Sequence, residues 1–371
     1  MRTVVISDLH LGAPRGRDLL RRSELRAPLL EELRSADRLV ILGDGLELRH
    51  APHRDAAEVA RPFLEEVGAA LGPAGQVVML GGNHDHGLVS GWIDARLATE
   101  PSGFLGLDER LTPPAAGPLA ERAAELLAPA RLELAYPGIW LRDDVYATHG
   151  HYSDLHTTMP TFERLAVGAM ARWAVRMPVH GARPDDYEAA LAPIYAWMHQ
   201  LTQRSESAMA SAATGASTRT WTMLVGAERR RRPLRALGLK AAYVSAVTAL
   251  DALGIGPLDR DVSAPALRRG GLHGMGEVAR RLGIDAPYLL FGHTHRSGPW
   301  PDDDPAEWVA PTGARIVNTG SWVYQPHFLP EAPNSSPYWP GTAVVLDDAG
   351  PPQIRRLLGG FPRDRLAPAP A

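Results

Sequence analysis

The chain contains no cysteine. It therefore has neither disulfides nor thiolate metal sites, and its folding is indifferent to the redox compartment. Lysine is nearly absent too: Lys240 stands alone among 39 basic residues. That bias towards arginine reads as compositional, so single arginines are not interpreted on that basis. No run approaches the roughly 20 apolar residues that span a bilayer. The N-terminus enters a strand-like run, Arg2 to Ile6, without a charged leader and apolar segment. A signal peptide is not expected, and a cytoplasmic location is, with peripheral membrane contact left open. No fixed period recurs, which argues against a solenoid.

What is present fits an ordinary globular protein, with 371 residues, 45% hydrophobic and 22% charged. That length accommodates one large α/β domain with an insertion. Five short motifs stand out: Asp8-Leu9-His10, Gly43-Asp44, Gly82-Asn83-His84-Asp85, His149-Gly150-His151 and Gly292-His293-Thr294-His295. Most follow apolar runs with strand character: Thr3 to Ile6, Leu39 to Leu42, Val77 to Leu80, Val145 to Ala147 and Tyr288 to Phe291. Strand tips are where an α/β sheet places its reactive groups. Asp-x-His and His-x-His spacing lets both members of a pair face one cavity in an extended segment. Carboxylate and imidazole ligands suit Mn, Fe, Zn or Co. Two cations about 3.5–4 Å apart need a shared anionic bridge, and Asp44 is the candidate for it.

The order of these motifs resembles the calcineurin-like metallophosphoesterase superfamily, whose pattern is DxH, GD, GNH(D/E), HG(H/D) and GHxH. The resemblance implies a four-layer αββα sandwich, two β-sheets flanked by helices, here with a helical insertion. It also implies a binuclear, metal-dependent phosphoesterase that hydrolyses a phosphomonoester or phosphodiester with a metal-activated water. By that resemblance Asp8, His10, Asp44 and His295 hold one divalent ion, with manganese the first expectation. Asp44, Asn83, His149 and His293 hold the other. His84 is implied to be the catalytic histidine at the leaving oxygen, which suits an imidazole. Asp85 is expected to hold the His84 ring. Either His149 or His151 could reach a metal; the resemblance assigns His149, leaving His151 behind it or against substrate. The stretch Arg315 to Trp322 is similar to the strand and turn after GHxH, with Asn318 and Ser321 shaping the site from behind. The start of the chain and its HG motif are also similar to those of UDP-diacylglucosamine hydrolases, which carry a helical insertion. Those enzymes usually have arginine where this chain has His84, so that substrate is not assigned.

Residues 1–151 and 285–358 read as one discontinuous core, 152–284 as a helical cap and 359–371 as a Pro/Ala-rich tail. Helices are expected at Asp18 to Arg34, Asp55 to Leu71, Leu119 to Leu127, Phe162 to Met177, Tyr187 to Arg204, Ser217 to Arg229, Pro233 to Leu253 and Pro265 to Leu282. Thr99 to Pro118 reads as a loop. Two strands, Arg131 to Tyr136 and Gly138 to Arg142, are expected around a turn at Pro137-Gly138. The cap holds 17 Lys+Arg against 11 Asp+Glu, leaving 22 against 31 elsewhere. Its densest cluster, Arg229, Arg230, Arg231 and Arg232, suggests either attraction of an anionic phosphoester substrate or contact with anionic lipid headgroups. A nucleic-acid partner is not expected: the cluster lacks interleaved aromatics and the net charge is −3. A nuclease, or a catalytically weak scaffold acting through the insertion, are the alternatives; the intact ligand set argues against the scaffold.

Overall fold

The computed structural model describes residues 1–49, 53–98, 103–159, 162–178, 180–204 and 263–368, with a few single positions between 245 and 261. The expected helix Ser217 to Arg229, most of Pro233 to Leu253 and the Arg229–Arg232 cluster lie outside the described residues. The chain divides into two compact units. The first comprises residues 1–151, 285–309 and 313–371; the second comprises 152–284 and 310–312.

The first unit is α/β, built on eleven strands. They are β1 (Thr3–Ile6), β2 (Arg38–Ile41), β3 (Gln76–Leu80), β4 (Asp108–Leu111), β5 (Arg131–Arg142), β6 (Val145–Thr148), β7 (Tyr288–Phe291), β8 (Ser297–Gly298), β9 (Arg315–Thr319), β10 (Thr342–Leu346) and β11 (Gln353–Arg356). Their hydrogen-bonded order is β11-β10-β1-β2-β3-β5-β6-β7-β9-β8, with β4 on β5. The sheet is mixed. β1, β2, β3 and the first half of β5 run parallel, as do β6, β7 and β9, while β10 and β11 are antiparallel additions.

Apolar residues on successive positions of β1 to β3 serve two different cores, as expected for strands buried on both faces. Val4, Ile6, Leu39, Ile41, Val77 and Met79 join a cluster with the helices Ser23–Leu33, His53–Leu71 and Pro118–Leu127. The alternating Val5, Val40, Leu42, Val78 and Leu80 join a second cluster with Ala147, Leu290 and Val317 from β6, β7 and β9. At about 1.5–3 kcal/mol for each fully buried aliphatic side chain, these strands are fixed firmly enough to hold their tips in register.

Two local expectations are corrected. The strand pair around Pro137 is one strand: β5 pairs β3 through Arg131 to Ala135 and β6 through Gly138 to Arg142. The chain exchanges partners at Pro137 rather than reversing direction. The expected loop at Thr99 to Pro118 includes β4, a polar edge strand whose period is hidden because it packs on one side only; it pairs antiparallel with β5. Arg363–Leu366 forms a helical turn with Leu366 buried, and the Arg22 guanidinium donates to the carbonyls of Leu366 and Ala367 at 2.8 and 2.9 Å.

The described part of the second unit is helical: Phe162–Ala169, a wider π-turn stretch Met170–Val175, Pro184–Arg204 and Ala264–Leu282. Pro193 sits within the helix Pro184–Arg204. Among the described residues, no helix is long and apolar enough to cross a membrane.

Candidate metal centre

Parallel strands deliver the motif residues to one edge. Asp8, Asp44, Asn83, His149 and His293 each lie one to three residues beyond the C-terminal end of β1, β2, β3, β6 and β7, where an α/β sheet places its functional groups. Backbone contacts tie the tips together. Asp8 N–H donates to the Gly43 carbonyl at 3.1 Å, His10 N–H to Asp44 at 2.8 Å, and Gly292 N–H to His149 at 2.9 Å. The approach is close enough to require glycine. A Cβ on Gly43, which has φ +83°, would meet the His149 ring at 2.5 Å, and one on Gly292 would meet Ser7 Oγ at 2.3 Å.

The backbone is also strained here. Asp8, His10, Asp44, His293 and His295 all adopt positive φ, between 46° and 65°. Among the described residues, the other such non-glycine residues are Arg15, Arg176 and Asn334, none of them buried. Strain concentrated in five buried or half-buried polar residues marks a functional site, because the fold must hold a conformation that costs energy at each.

The side chains converge on Asp44. Its Oδ2 lies 3.5 Å from His10 Nε2 and 3.5 Å from His149 Nε2, while its Oδ1 accepts the His84 backbone N–H at 2.8 Å. On one side, His10 Nε2 and His295 Nε2 are 3.2 Å apart and Asp8 Oδ1 is 3.2 Å from His295 Nε2. On the other, Asn83 Oδ1 is 3.1 Å from both His149 Nε2 and His293 Nδ1. Among the described residues, three overlapping groups bring ligand atoms within 4.8 Å of one another: Asp8–His10–His295, His10–Asp44–His84 and Asp8–Asp44–His149.

These residues fit divalent cations. Asp8 Oδ1 is buried without a hydrogen-bond donor, a costly state for a carboxylate oxygen unless something cationic meets it. Imidazole nitrogens and carboxylate oxygens face one another at 3.2 to 3.5 Å. The electrostatics agree. Burial opposes ionisation of Asp8 and Asp44, yet His295 beside Asp8 and His149 beside Asp44 lead in holding both carboxyls down, Asp8 to about 2. Burial likewise opposes charge on His10 and His149. The Glu47, Asp44 and Asp8 carboxylates outweigh it and lift His10 to about 9, and Asp44 and Asp8 lift His149 to about 10. The cluster of carboxylates thus favours positive charge among these side chains.

His84 is arranged differently. Its Nδ1–H donates to Glu47 Oε2 at 2.9 Å, and its Nε2 lies 3.5 Å from the Arg49 guanidinium. Burial pushes it down to about 4. Glu47 was not among the residues singled out in the sequence, and it is central: the same Oε2 accepts from His10 Nδ1–H at 3.0 Å. Its signal was an acid in the short apolar run Leu46-Glu47-Leu48, all three residues buried. Asp85, expected to hold His84, does something else. Its two oxygens accept the backbone N–H groups of Gly82, Asp44, Gly45 and Leu46 at 2.6 to 3.2 Å. It staples the β2 and β3 tips together, and adjacency in sequence turned its side chain away from His84. Burial and the nearby Asp44 raise it to about 6.

His151, expected near a metal or substrate, is buried at 1% exposure, with Nε2 3.3 Å from the Tyr136 hydroxyl. It lies ring to ring with His149 at 5.6 Å, the first of the two places expected for it. His86 is buried edge-on against Tyr136. His180, His273 and His327 are exposed. Asn318 shapes the last motif, as expected, donating to the Gly292 carbonyl at 3.1 Å and Thr294 Oγ1 at 2.9 Å. Gln325, not anticipated from the sequence, places its side-chain amide 2.8 Å from His295 Nδ1.

The family model for calcineurin-like phosphoesterases matches residues 1–186, half of the chain. The matched span carries Asp8, His10, Asp44, Asn83, His84 and His149, whereas His293 and His295 lie beyond it. No curated protein matches the chain.

Proposed function

Because the chain belongs to the calcineurin-like phosphoesterase family, we propose that it hydrolyses a phosphomonoester or phosphodiester of an anionic substrate at a two-metal centre. The observation that carries this reading is the place of Asp44 Oδ2, equidistant from one nitrogen of each flanking histidine, where one carboxylate oxygen can serve two cations. Asp8, His10, Asp44 and His295 would hold one ion, and Asp44, Asn83, His149 and His293 the other. Asn83 adds a ligand without adding negative charge, which favours entry of a phosphate. When bound, divalent metals supply Lewis acidity towards phosphoryl oxygens and a water acidic enough to attack at neutral pH.

The protein's own groups do the rest. Glu47 fixes the His84 ring through Nδ1, so Nε2 is the nitrogen presented to the leaving oxygen. Arg49 beside that nitrogen contributes a fixed positive charge for the phosphoryl group. A bound phosphate's negative charge raises the proton affinity that burial has taken from His84. Asp85 keeps Asp44 and the Asn83 turn in register through the four backbone hydrogen bonds. We also read the first unit as a four-layer sandwich, supported by the apolar cluster filled from both halves of the strand array. The arginines Arg229 to Arg232 are proposed to steer the substrate electrostatically.

The test is turnover of generic aryl phosphomonoesters and diesters by protein loaded in turn with Mn, Fe, Zn and Co. Metal-dependent hydrolysis, removed by a chelator and restored by metal, is expected. Metal-loaded protein that turns over neither class would overturn the proposal in favour of a scaffold.

A further inference from the structure

The imidazoles around Asp44 are held from behind by chemically different partners. His10 Nδ1–H donates to Glu47 Oε2 at 3.0 Å, and His149 Nδ1–H donates to the Leu42 carbonyl at 2.8 Å. A carboxylate and a backbone carbonyl only accept, so each holds its ring's Nδ1 proton in place and leaves Nε2, the nitrogen facing the centre, as the one that would give up its proton to a cation. His295 is different. Its Nδ1 accepts from the Gln325 side-chain Nε2–H at 2.8 Å, and its Nε2 faces Asp8 Oδ1 at 3.2 Å. An amide donates through nitrogen and accepts through oxygen. As placed, the Gln325 Nε2–H donates to Nδ1 and directs the ring proton of His295 to Nε2, towards Asp8; only with the amide turned over, Oε1 accepting from Nδ1–H, is the Nε2 lone pair free for a metal.

The segment that carries Gln325 is anchored to the same side of the centre. Trp322 N–H donates to the Asp8 carbonyl at 3.0 Å, and the Trp322 carbonyl accepts from Leu19 N–H at 3.0 Å. Tyr324 N–H donates to Arg17 at 2.9 Å, and Val323 bridges Asp18. The buried Trp322 indole donates to the Thr342 carbonyl at 3.1 Å. One short stretch thus braces the backbone of Asp8 and the ring of His295, two of the three residues that form one candidate metal position.

We infer that Gln325 is a positioning residue that sets the affinity of the position formed by Asp8, His10 and His295. It leaves that position more exchangeable than the one formed with Asn83, His149 and His293. This rests on the two-metal reading above. Loss of an outer hydrogen-bond partner from a ligating histidine costs ~10–100-fold in metal affinity.

Mn(II) alone is the probe. Metal-stripped wild type, Gln325→Ala and Gln325→Glu are dialysed against graded free Mn(II), and bound metal is counted by mass spectrometry. Circular dichroism of the metal-free proteins confirms that the variants remain folded. Gln325→Ala should weaken one of two binding steps by ~10–100-fold and spare the other. Gln325→Glu, which only accepts, should tighten that same step. Unchanged binding in Gln325→Ala, or equal weakening of both steps, would overturn the inference. So would a Gln325→Glu protein that binds Mn(II) like Gln325→Ala, because the hydrogen-bond character would then be irrelevant. Wild-type protein that takes up no Mn(II) would refute the metal-centre reading itself, a result distinct from any pattern among the variants.

Discussion

In the first unit, His10 and His149 are buried among carboxylates, and their proton affinity rises despite burial, to about 9 and about 10. In the second unit, His156 is also largely buried, and there burial prevails, pushing it down to about 3. The difference lies in the partners. His156 Nε2 pairs with the Tyr187 hydroxyl at 2.8 Å, Tyr187 stacks on Tyr152 at 4.6 Å, and Tyr152 donates to the buried Glu188 at 2.5 Å. The Arg164 guanidinium donates to the Thr157 carbonyl at 2.8 Å. These groups complete one another, as a buried polar network must if it is to hold a fold together. Around Asp44, imidazole nitrogens and carboxylate oxygens instead converge at 3.2 to 3.5 Å on strained backbone. Burial alone therefore does not mark a binding centre. Imidazoles and carboxylates aimed at a shared point do.

Five substitutions probe that contrast. Asp44→Asn should have the largest effect. It removes the charge between His10 and His149, so metal retention and turnover should both fall by more than the ~10–100-fold typical of losing an outer partner. Metal analysis after dialysis measures this, and an Asp44→Asn protein that keeps two ions would break the bridging assignment.

His84→Ala should keep its metal and lose rate, by about 10²–10⁴-fold on a poor-leaving-group ester. Glu47→Gln should lose in both respects, because one carboxylate oxygen holds both His10 and His84. Comparing metal content with kcat across the pair separates the two roles; a His84→Ala protein emptied of metal would mean the catalytic histidine is misassigned.

Asp85→Asn tests a structural role inside the centre. Turning an amide into the nest of four backbone N–H groups should cost about 1–3 kcal/mol of stability, read from melts of the metal-free protein. A rate loss without a stability loss would restore Asp85 to the chemistry.

The smallest effect belongs to the helical unit. Between pH 6.5 and about 3 the unfolded chain binds a proton at His156 that the fold excludes, so stability falls as pH drops through that window. The contribution should be about 1–2 kcal/mol between pH 7 and 5. Denaturant melts at the two pH values should show a shallower dependence in His156→Gln; an equal or steeper one would mean the His156–Tyr187 pair titrates normally.

Much of the centre was legible in the chain. Asp8, His10, Asp44, Asn83, His149, His293 and His295 each follow an apolar run, and strand ends in a parallel array converge on one edge. Elements with a strong period, such as the helix expected at Pro265 to Leu282 and observed at Ala264–Leu282, were equally plain. β4 was not, because an edge strand with one packed side leaves little alternation. β5 was split in two because Pro137-Gly138 reads as a turn, whereas in the fold it is the point where the strand changes partners.

The sequence by itself determined the inventory: which ligand types exist, in what order, and that no thiolate is among them. The tertiary structure decided the pairings. Glu47 rather than Asp85 holds His84, across 37 positions of chain, and Gln325 reaches His295 across 30. Short motifs record which residues sit at a strand tip. The direction each side chain takes from that tip depends on how neighbouring strands and their loops pack, and here that packing turned Asp85 to the backbone and brought Glu47 to two histidines at once.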